Sequence, residues 1–264
     1  MRVTVQDVMR ALTLPGGNPE DTVDGLLAGD AGSEVTGIVT AFMPTMSVIE
    51  QAAGQGANLV VAHEMLFYAN REGELIHADS AVLREKQRRI TAAGMAIYRC
   101  HDYWHRVEPD GITEGLIQAL AWSPYVRERQ PTATLVDIPG WTLAEIASHV
   151  KERLGIRSLR AIGDPAKPCR RIAVLAGFRG GGQLTIPLYE RERLDLVLYG
   201  EGLEWETPEY VRDARHMGEE RALLILGHAE SEEPGMRLLA ERLRALFPDT
   251  PVSYVKEKPL FACL

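Results

Sequence analysis

Gly37-Ile-Val-Thr-Ala-Phe42, then Thr45 to Ala53, then Asn58-Leu-Val-Val-Ala-His63 form the stretch that decides the fold class. Two short apolar runs rich in β-branched residues flank a helix-like segment, and the grammar repeats with Ala81 to Ala93 followed by Met95 to His101. Strand, helix and strand in alternation predict a mostly parallel sheet covered on both faces. Gly54, Gly56 and Gly94 stand where helix C-terminal caps belong.

Upstream of this stretch, Val5, Val8, Met9 and Leu12 follow Thr4 with helical spacing, which predicts a short amphipathic helix capped by Thr4. A Gly/Asp-rich loop is expected after it. Downstream, Pro124, Pro131 and Pro139 punctuate a run with one strand candidate, Thr132 to Ile138. Thr142-x-x-Glu145 is a capping box opening a helix that Gly155 closes. Strand candidates resume at Arg171 to Phe178, Asp195 to Tyr199, Arg221 to Gly227 and Val252 to Val255, with helices over Pro208 to Met217 and Pro234 to Leu246. The expected organisation is two interlinked α/β halves. The first covers 1–125 with a late return of the chain after 220, and the second covers 126–264 and carries the final ligand segment.

Composition bounds the rest. The chain has 264 residues, 45% hydrophobic and 25% charged, the balance of a folded protein with a real core. Lys and Arg total 29 against 37 Asp and Glu, a formal net charge of -8, which argues against a nucleic-acid backbone as partner. Arg84 to Arg89 and Arg191 to Arg193 are interleaved with Glu85, Glu190 and Glu192 and read as solvated helix faces. Cys100, Cys169 and Cys263 lie far apart with no Cys-x-x-Cys, as expected of a reducing, cytoplasmic setting. Asp7 and Arg10 interrupt the apolar residues of the N-terminus, so no signal peptide is expected there. No apolar run approaches the ~18 residues of a membrane span.

In a parallel α/β sheet, ligands bind outside the carboxyl ends of the strands. One strand here ends in His63-Glu64, another in His101-Asp102 with His105 a helical turn later, and a third in His228 with Glu232 four residues on. Imidazole and carboxylate on three strand ends suit a centre of zinc, iron or manganese. A single histidine in such a place is more often a hydrogen-bonding loop residue, so the joint pattern carries the reading. His77, His149 and His216 fall in a polar loop, on an amphipathic helix and near a helix C-terminus, and are expected to be structural. Gly180-Gly181-Gly182 lacks the spacing of a phosphate loop and reads as a strand-to-helix turn. Glu201, after Tyr199-Gly200, is as readily a loop carboxylate as a residue facing the same crevice. No Gly-x-Ser-x-Gly elbow is present.

Val61-Ala-His-Glu-Met-Leu-Phe67 resembles "H-H-P-L-F", His101-Asp-Tyr-Trp-His105 resembles "H-T-x-x-D", and Gly227-His-Ala-Glu-Ser-Glu232 matches "G-H-x-x-S-E". These are the metal segments of the Nif-three-like dinuclear metal-centre family, also described as GTP cyclohydrolase I type 2-like. Asp24 to Asp30, Thr45, Arg171 to Gly182 and Leu198 to Glu201 resemble further family segments, so the likeness runs nearly end to end. Position by position, it implies metal ligands at His63, Glu64, His105, His228 and Glu232. Two of the five differ in type from the family pattern: Glu64 stands for a histidine and His105 for an aspartate. The inventory of three histidines and two carboxylates is kept, as a rearranged centre requires.

The resemblance implies a two-part α/β subunit, a homohexamer enclosing a cavity, and one or two divalent transition-metal ions per subunit. Two cations about 3.5 to 4 Å apart acidify a bridging water and clamp an oxygen, the logic of a metallohydrolase. The expected activity is a cyclohydrolase or phosphoester hydrolase acting on a small, possibly nucleotide-like substrate, with Glu64 or His101 as proton carriers. The rival expectation is an oligomeric metal- or ligand-binding regulatory protein without turnover.

Overall fold

The structure, a computed structural model, describes residues 2–15, 17, 19–69 and 79–262. His77 and Cys263 lie outside the described residues. In chain order the elements are α1 (Val5–Ala11), β1 (Gly25–Ala28), β2 (Ile38–Ala41), α2 (Met46–Gly54), β3 (Leu59–Ala62), α3 (Ala81–Ala92), β4 (Ala96–Arg99), α4 (Asp102–Arg106) and α5 (Gly111–Ala119). They continue with β5 (Val126–Arg129), β6 (Thr134–Thr142), α6 (Leu143–Leu154), β7 (Arg160–Ile162), β8 (Pro168–Leu175), α7 (Gly182–Glu192), β9 (Leu196–Tyr199), α8 (Thr207–His216), β10 (Ala222–Ile225), α9 (His228–Leu246) and β11 (Val252–Tyr254). The fold class is α/β with two sheets, as expected. Two compact units divide the chain: Met1–Gly111 with Met236–Lys258, and Ile112–Gly235 with Pro259–Leu264.

The first unit holds a five-stranded sheet in the order β1-β4-β3-β2-β11. The four strands from β4 to β11 run parallel, and β1 pairs antiparallel with β4. Val39, Val60 and Ile97 from the sheet pack with Val48, Ile49 and Ala52 of α2. Thr45 caps α2 by accepting the Val48 N–H, and Thr4 forms a capping box with Asp7 on α1. The stretch expected to be a Gly/Asp-rich loop contains β1. It is an edge strand of four residues with a bulge between Leu26 and Ala28, and a lone edge strand carries too little alternation to be read.

The second unit holds a six-stranded sheet in the order β5-β6-β8-β9-β10-β7. Its centre, β8-β9-β10, is parallel. Its flanks are antiparallel: β5 with β6, β6 with β8, and β7 with β10. The expectation of mostly parallel sheets is therefore refined here to a mixed sheet. The short link between β5 and β6, closed by the Gln130 N–H on the Ala133 carbonyl, allows only a hairpin, whereas parallel neighbours need a crossover. The expected capping box is present on α6, with Gly155 in the left-handed conformation after its last turn. Gly181 caps α7, so the glycine run is a strand-to-helix turn as expected. His149 is structural, its Nε2 2.7 Å from the Leu120 carbonyl and its ring stacked on Trp122. No helix among the described residues is long and apolar enough to cross a membrane.

One buried charge sits on the inner face of α3. Lys86 is 1% exposed, its Nζ donates to the Leu66 carbonyl at 2.5 Å, and it lies over the Phe67 and Tyr68 rings. Burial pushes its ammonium down from 10.5 to about 8, against a smaller opposing pull from Glu257. The folded protein thus releases this proton earlier than the unfolded chain does, so stability rises with pH between about 8 and 10.5. Comparing wild type with Lys86→Met by urea unfolding near pH 7 and near pH 10 isolates that share. The wild type should gain about 2 kcal/mol relative to the variant on going to the higher pH. A difference independent of pH refutes the assignment.

Candidate metal centre

In the first unit, β3 ends at Ala62 and delivers His63 at the carboxyl edge of the sheet, where its N–H donates to the Ala41 and Phe42 carbonyls. The neighbouring β4 ends at Arg99, and after Cys100 the chain turns into α4 with His101 and His105 one turn apart. Asp24 makes that turn. Its carboxylate accepts the N–H groups of His101, Asp102 and Tyr103 at 2.6, 2.9 and 2.8 Å, which are the orphan donors of a helix start.

The three imidazoles meet. Ring centroids lie 4.4 Å apart for His63 and His101, 5.0 Å for His63 and His105, and 4.9 Å for His101 and His105. One ring nitrogen from each falls within 4.8 Å of the others. Each Nδ1 faces an oxygen that can only accept: the Cys100 carbonyl at 3.4 Å from His63, Asp102 at 3.0 Å from His101, and Asp110 at 3.1 Å from His105. A ring whose Nδ1–H donates to such an oxygen is the tautomer that presents Nε2 to a metal ion. Oxygen acceptors behind imidazoles are the supports that orient metal ligands. Burial alone would push Asp102 up, but hydrogen bonds from His101, Thr22 and Val23 hold its carboxyl below the usual range. Cys100 is buried and its thiol is pushed well up by desolvation, so it offers no nucleophile.

Glu64, expected as a ligand, is 7% exposed and pairs through Oε2 with Arg99 at 3.2 Å. Arg99 is itself buried, and desolvation lowers its pKa against the opposing pull of Glu64. The pair orients Glu64 and keeps two buried charges compensated.

In the second unit, β10 delivers Gly227 and then His228. The helix expected to begin near Pro234 begins at His228 instead, with Pro234 inside it. The proline removes only one N–H, while the Ser231 N–H on the Gly227 carbonyl sustains the first turn. His228 and Glu232 thus share one helical face, with Nε2 3.2 Å from Oε2. Two ligands of one ion at ordinary bond lengths sit about 3.3 Å apart. The His228 Nδ1 lies 2.9 Å from Glu201, so the carboxylate after β9 does face this group. Ser231 ties the motif together: its hydroxyl accepts the Gly177 N–H at 2.9 Å and donates to the His228 carbonyl at 2.7 Å. Glu232 is 1% exposed.

Gly177, after β8, has φ +68° and lies so close to Glu232 that a Cβ would stand well inside van der Waals contact with Oε1. Gly200 approaches the Ser231 hydroxyl in the same way. Both glycines are required by the carboxylate and hydroxyl beside them. The sequence reading missed Asp24, Asp110, Arg99 and Ser231 as supporting groups. Asp110 left a local trace, an acid five residues after His105, and Ser231 stands in the Gly-His-x-x-Ser-Glu motif; Asp24 and Arg99 reach their partners only through the tertiary fold.

Comparison with known proteins shows what the chain as a whole is similar to. The family model described as Duf34/NIF3 (NGG1p interacting factor 3) matches residues 4–259. A "GTP cyclohydrolase 1 type 2 homolog" of Clostridium perfringens is 26% identical over 242 residues, covering 89% of this chain and 87% of that protein. A protein of the same description from Clostridium acetobutylicum is 26% identical, covering 83% and 80%. Among solved structures, a Staphylococcus aureus hypothetical protein has a TM-score of 0.77 at 17% identity over 100% of both chains. A Bacillus cereus protein related to NIF3 has a TM-score of 0.72 at 14% identity, covering 98% of this chain and 97% of its own. At these identities the structural likeness concerns the fold.

Gly177→Ala should destabilise the protein by at least about 2 kcal/mol, combining left-handed strain with displacement of Glu232. Gly54→Ala, at the end of α2 with nothing near its missing Cβ, should be neutral or stabilising by up to about 1 kcal/mol. Equilibrium denaturation of both variants checks the contrast, and equal effects would remove the packing argument.

Proposed function

The chain belongs to the Duf34/NIF3 family, and from that premise we propose that it is a metal-dependent hydrolase acting on a small, possibly nucleotide-like substrate at a dinuclear centre. The observation that carries the reading is the burial of His63 beside His101 and His105 in the first unit, and of Glu232 beside His228 in the second, at 0% and 1% exposure. Burying ionisable side chains in such density is costly unless they pair or hold a cation. The donor set, nitrogen and carboxylate oxygen without thiolate, fits zinc, iron or manganese.

The proposed ligands are His63, Glu64, His105, His228 and Glu232. The ion supplies Lewis-acid polarisation of a phosphoryl or carbonyl oxygen and acidification of water. Asp110 turns the His105 ring, Glu201 turns that of His228, and Arg99 sets the Glu64 carboxylate. Glu64 would also serve as proton carrier where it is not fully engaged as a ligand, because a carboxylate is a general base of suitable reach. The cyclohydrolase form is supported by the description of the two clostridial relatives. We place the protein in the cytoplasm, in keeping with the buried, unbridged Cys100 and Cys169.

Protein purified without added metal should hold about one to two transition-metal ions per subunit by elemental analysis. The double change His63→Ala with Glu232→Ala should remove them. Metal-restored protein should hydrolyse a member of a nucleotide panel. Tight metal with no turnover would favour an oligomeric binding or regulatory protein, and no metal after exposure to zinc, manganese and iron would end the hydrolase reading.

The subunits are proposed to assemble as a homohexamer. Light scattering at micromolar concentration should give a hexamer or a trimer-based species, whereas a monomer would contradict it.

A further inference from the structure

We propose that His101 is a metal ligand, completing with His63 and His105 a face of three imidazoles, rather than the proton carrier expected from its sequence position. The inference rests on the metal-dependent reading and adds a ligand to the proposed set. Three observations carry it. One ring nitrogen of His101 lies within 4.8 Å of one from each of His63 and His105, so the three rings form a single cluster. The His101 ring centroid stands 4.4 Å from that of His63 and 4.9 Å from that of His105, and binding of one ion would draw the ring nitrogens together to about 3.3 Å. All three rings are held alike, with Nδ1 facing an oxygen that orients the ring.

The backbone is equally fixed. His63 is seated by the Ala41 and Phe42 carbonyls at the end of β3, and His101 by the Asp24 carboxylate. Asp24 also holds the next two N–H groups, which locks the turn between His101 and His105. His101 is stacked on His63 at an interplanar angle of 22° and tied to Asp102, which fixes the bearing of its ring toward the other two imidazoles. Asp102 is a positioning residue, engaged on its other side by Thr22 and Val23.

The consequence is chemical. Imidazole ligands bring no negative charge, so an ion held by these three rings would draw compensation only from other ligands. With an imidazole at position 105 where the family pattern has a carboxylate, the face favours anionic oxygen ligands such as a phosphate or carboxylate group.

The test is a titration of metal-stripped, full-length protein with Co(II) and Zn(II), reading the Co(II) visible spectrum and the Zn(II) dissociation constant by chelator competition. His101→Ala should weaken Zn(II) binding by at least about a hundredfold and alter the Co(II) bands, and Asp102→Asn by about tenfold with the bands kept. Asp102→Asn retains the imidazole and guards against loss of folding, with circular dichroism checking both variants. Wild-type affinity and spectrum in a folded His101→Ala variant, with slowed turnover alone, would make His101 the proton carrier and overturn the inference while leaving the hydrolase reading intact. A wild type that binds neither metal would overturn both.

Discussion

Five strands of four residues, β2, β3, β4, β9 and β10, are buried along their whole length. That burial is the constraint on which the rest depends. A strand covered on both faces leaves little room for chemistry along its length, and Thr40 and Arg99 within these strands are met by partners. Thr40 donates to the Met236 carbonyl, and Arg99 pairs with Glu64. Polar side chains with room for chemistry are pushed to the positions beyond the strands, which is where the candidate ligands His63, His101 and His228 stand.

Beyond those ends the chain must satisfy its exposed backbone groups, and it does so with the residues that also arrange the candidate ligands. Asp24 illustrates the economy of this arrangement: one carboxylate satisfies three N–H groups and sets the bearing of two histidines. Ser231 does the same in the second unit, accepting from Gly177 and donating to His228. Each letter of Gly-His-x-x-Ser-Glu thereby acquires a physical role. The glycine has φ +108° as the chain leaves β10, histidine and glutamate share a helical face, and serine anchors the turn.

Orientation of the rings is the second theme. His63, His101, His105 and His228 each have Nδ1 on an oxygen, from a carbonyl in one case and from carboxylates in three. Histidines serving only as structural filler, such as His149 against the Leu120 carbonyl, are satisfied one at a time and stand apart from other imidazoles. Convergence, rather than the hydrogen bond itself, separates the two kinds.

The sequence by itself determined the α/β class, the helix caps at Thr4, Thr142 and Gly155, and the strand ends that bear histidine, because apolar period, capping chemistry and turn residues are local properties. Its family motifs named His63, His105, His228 and Glu232. Local pattern could not reveal the edge strand β1, which depends on pairing with β4 some 70 residues away. Nor could it place the start of α9, where Pro234 suggested a boundary that the packed first turn overrides. Only the tertiary structure decided that His101 stands with His63 and His105, that Glu64 is met by Arg99, and that Asp24 holds the turn between them. Those relations join residues 35 to 79 positions apart; they follow from the order of strands in the sheet, which no short stretch of sequence encodes.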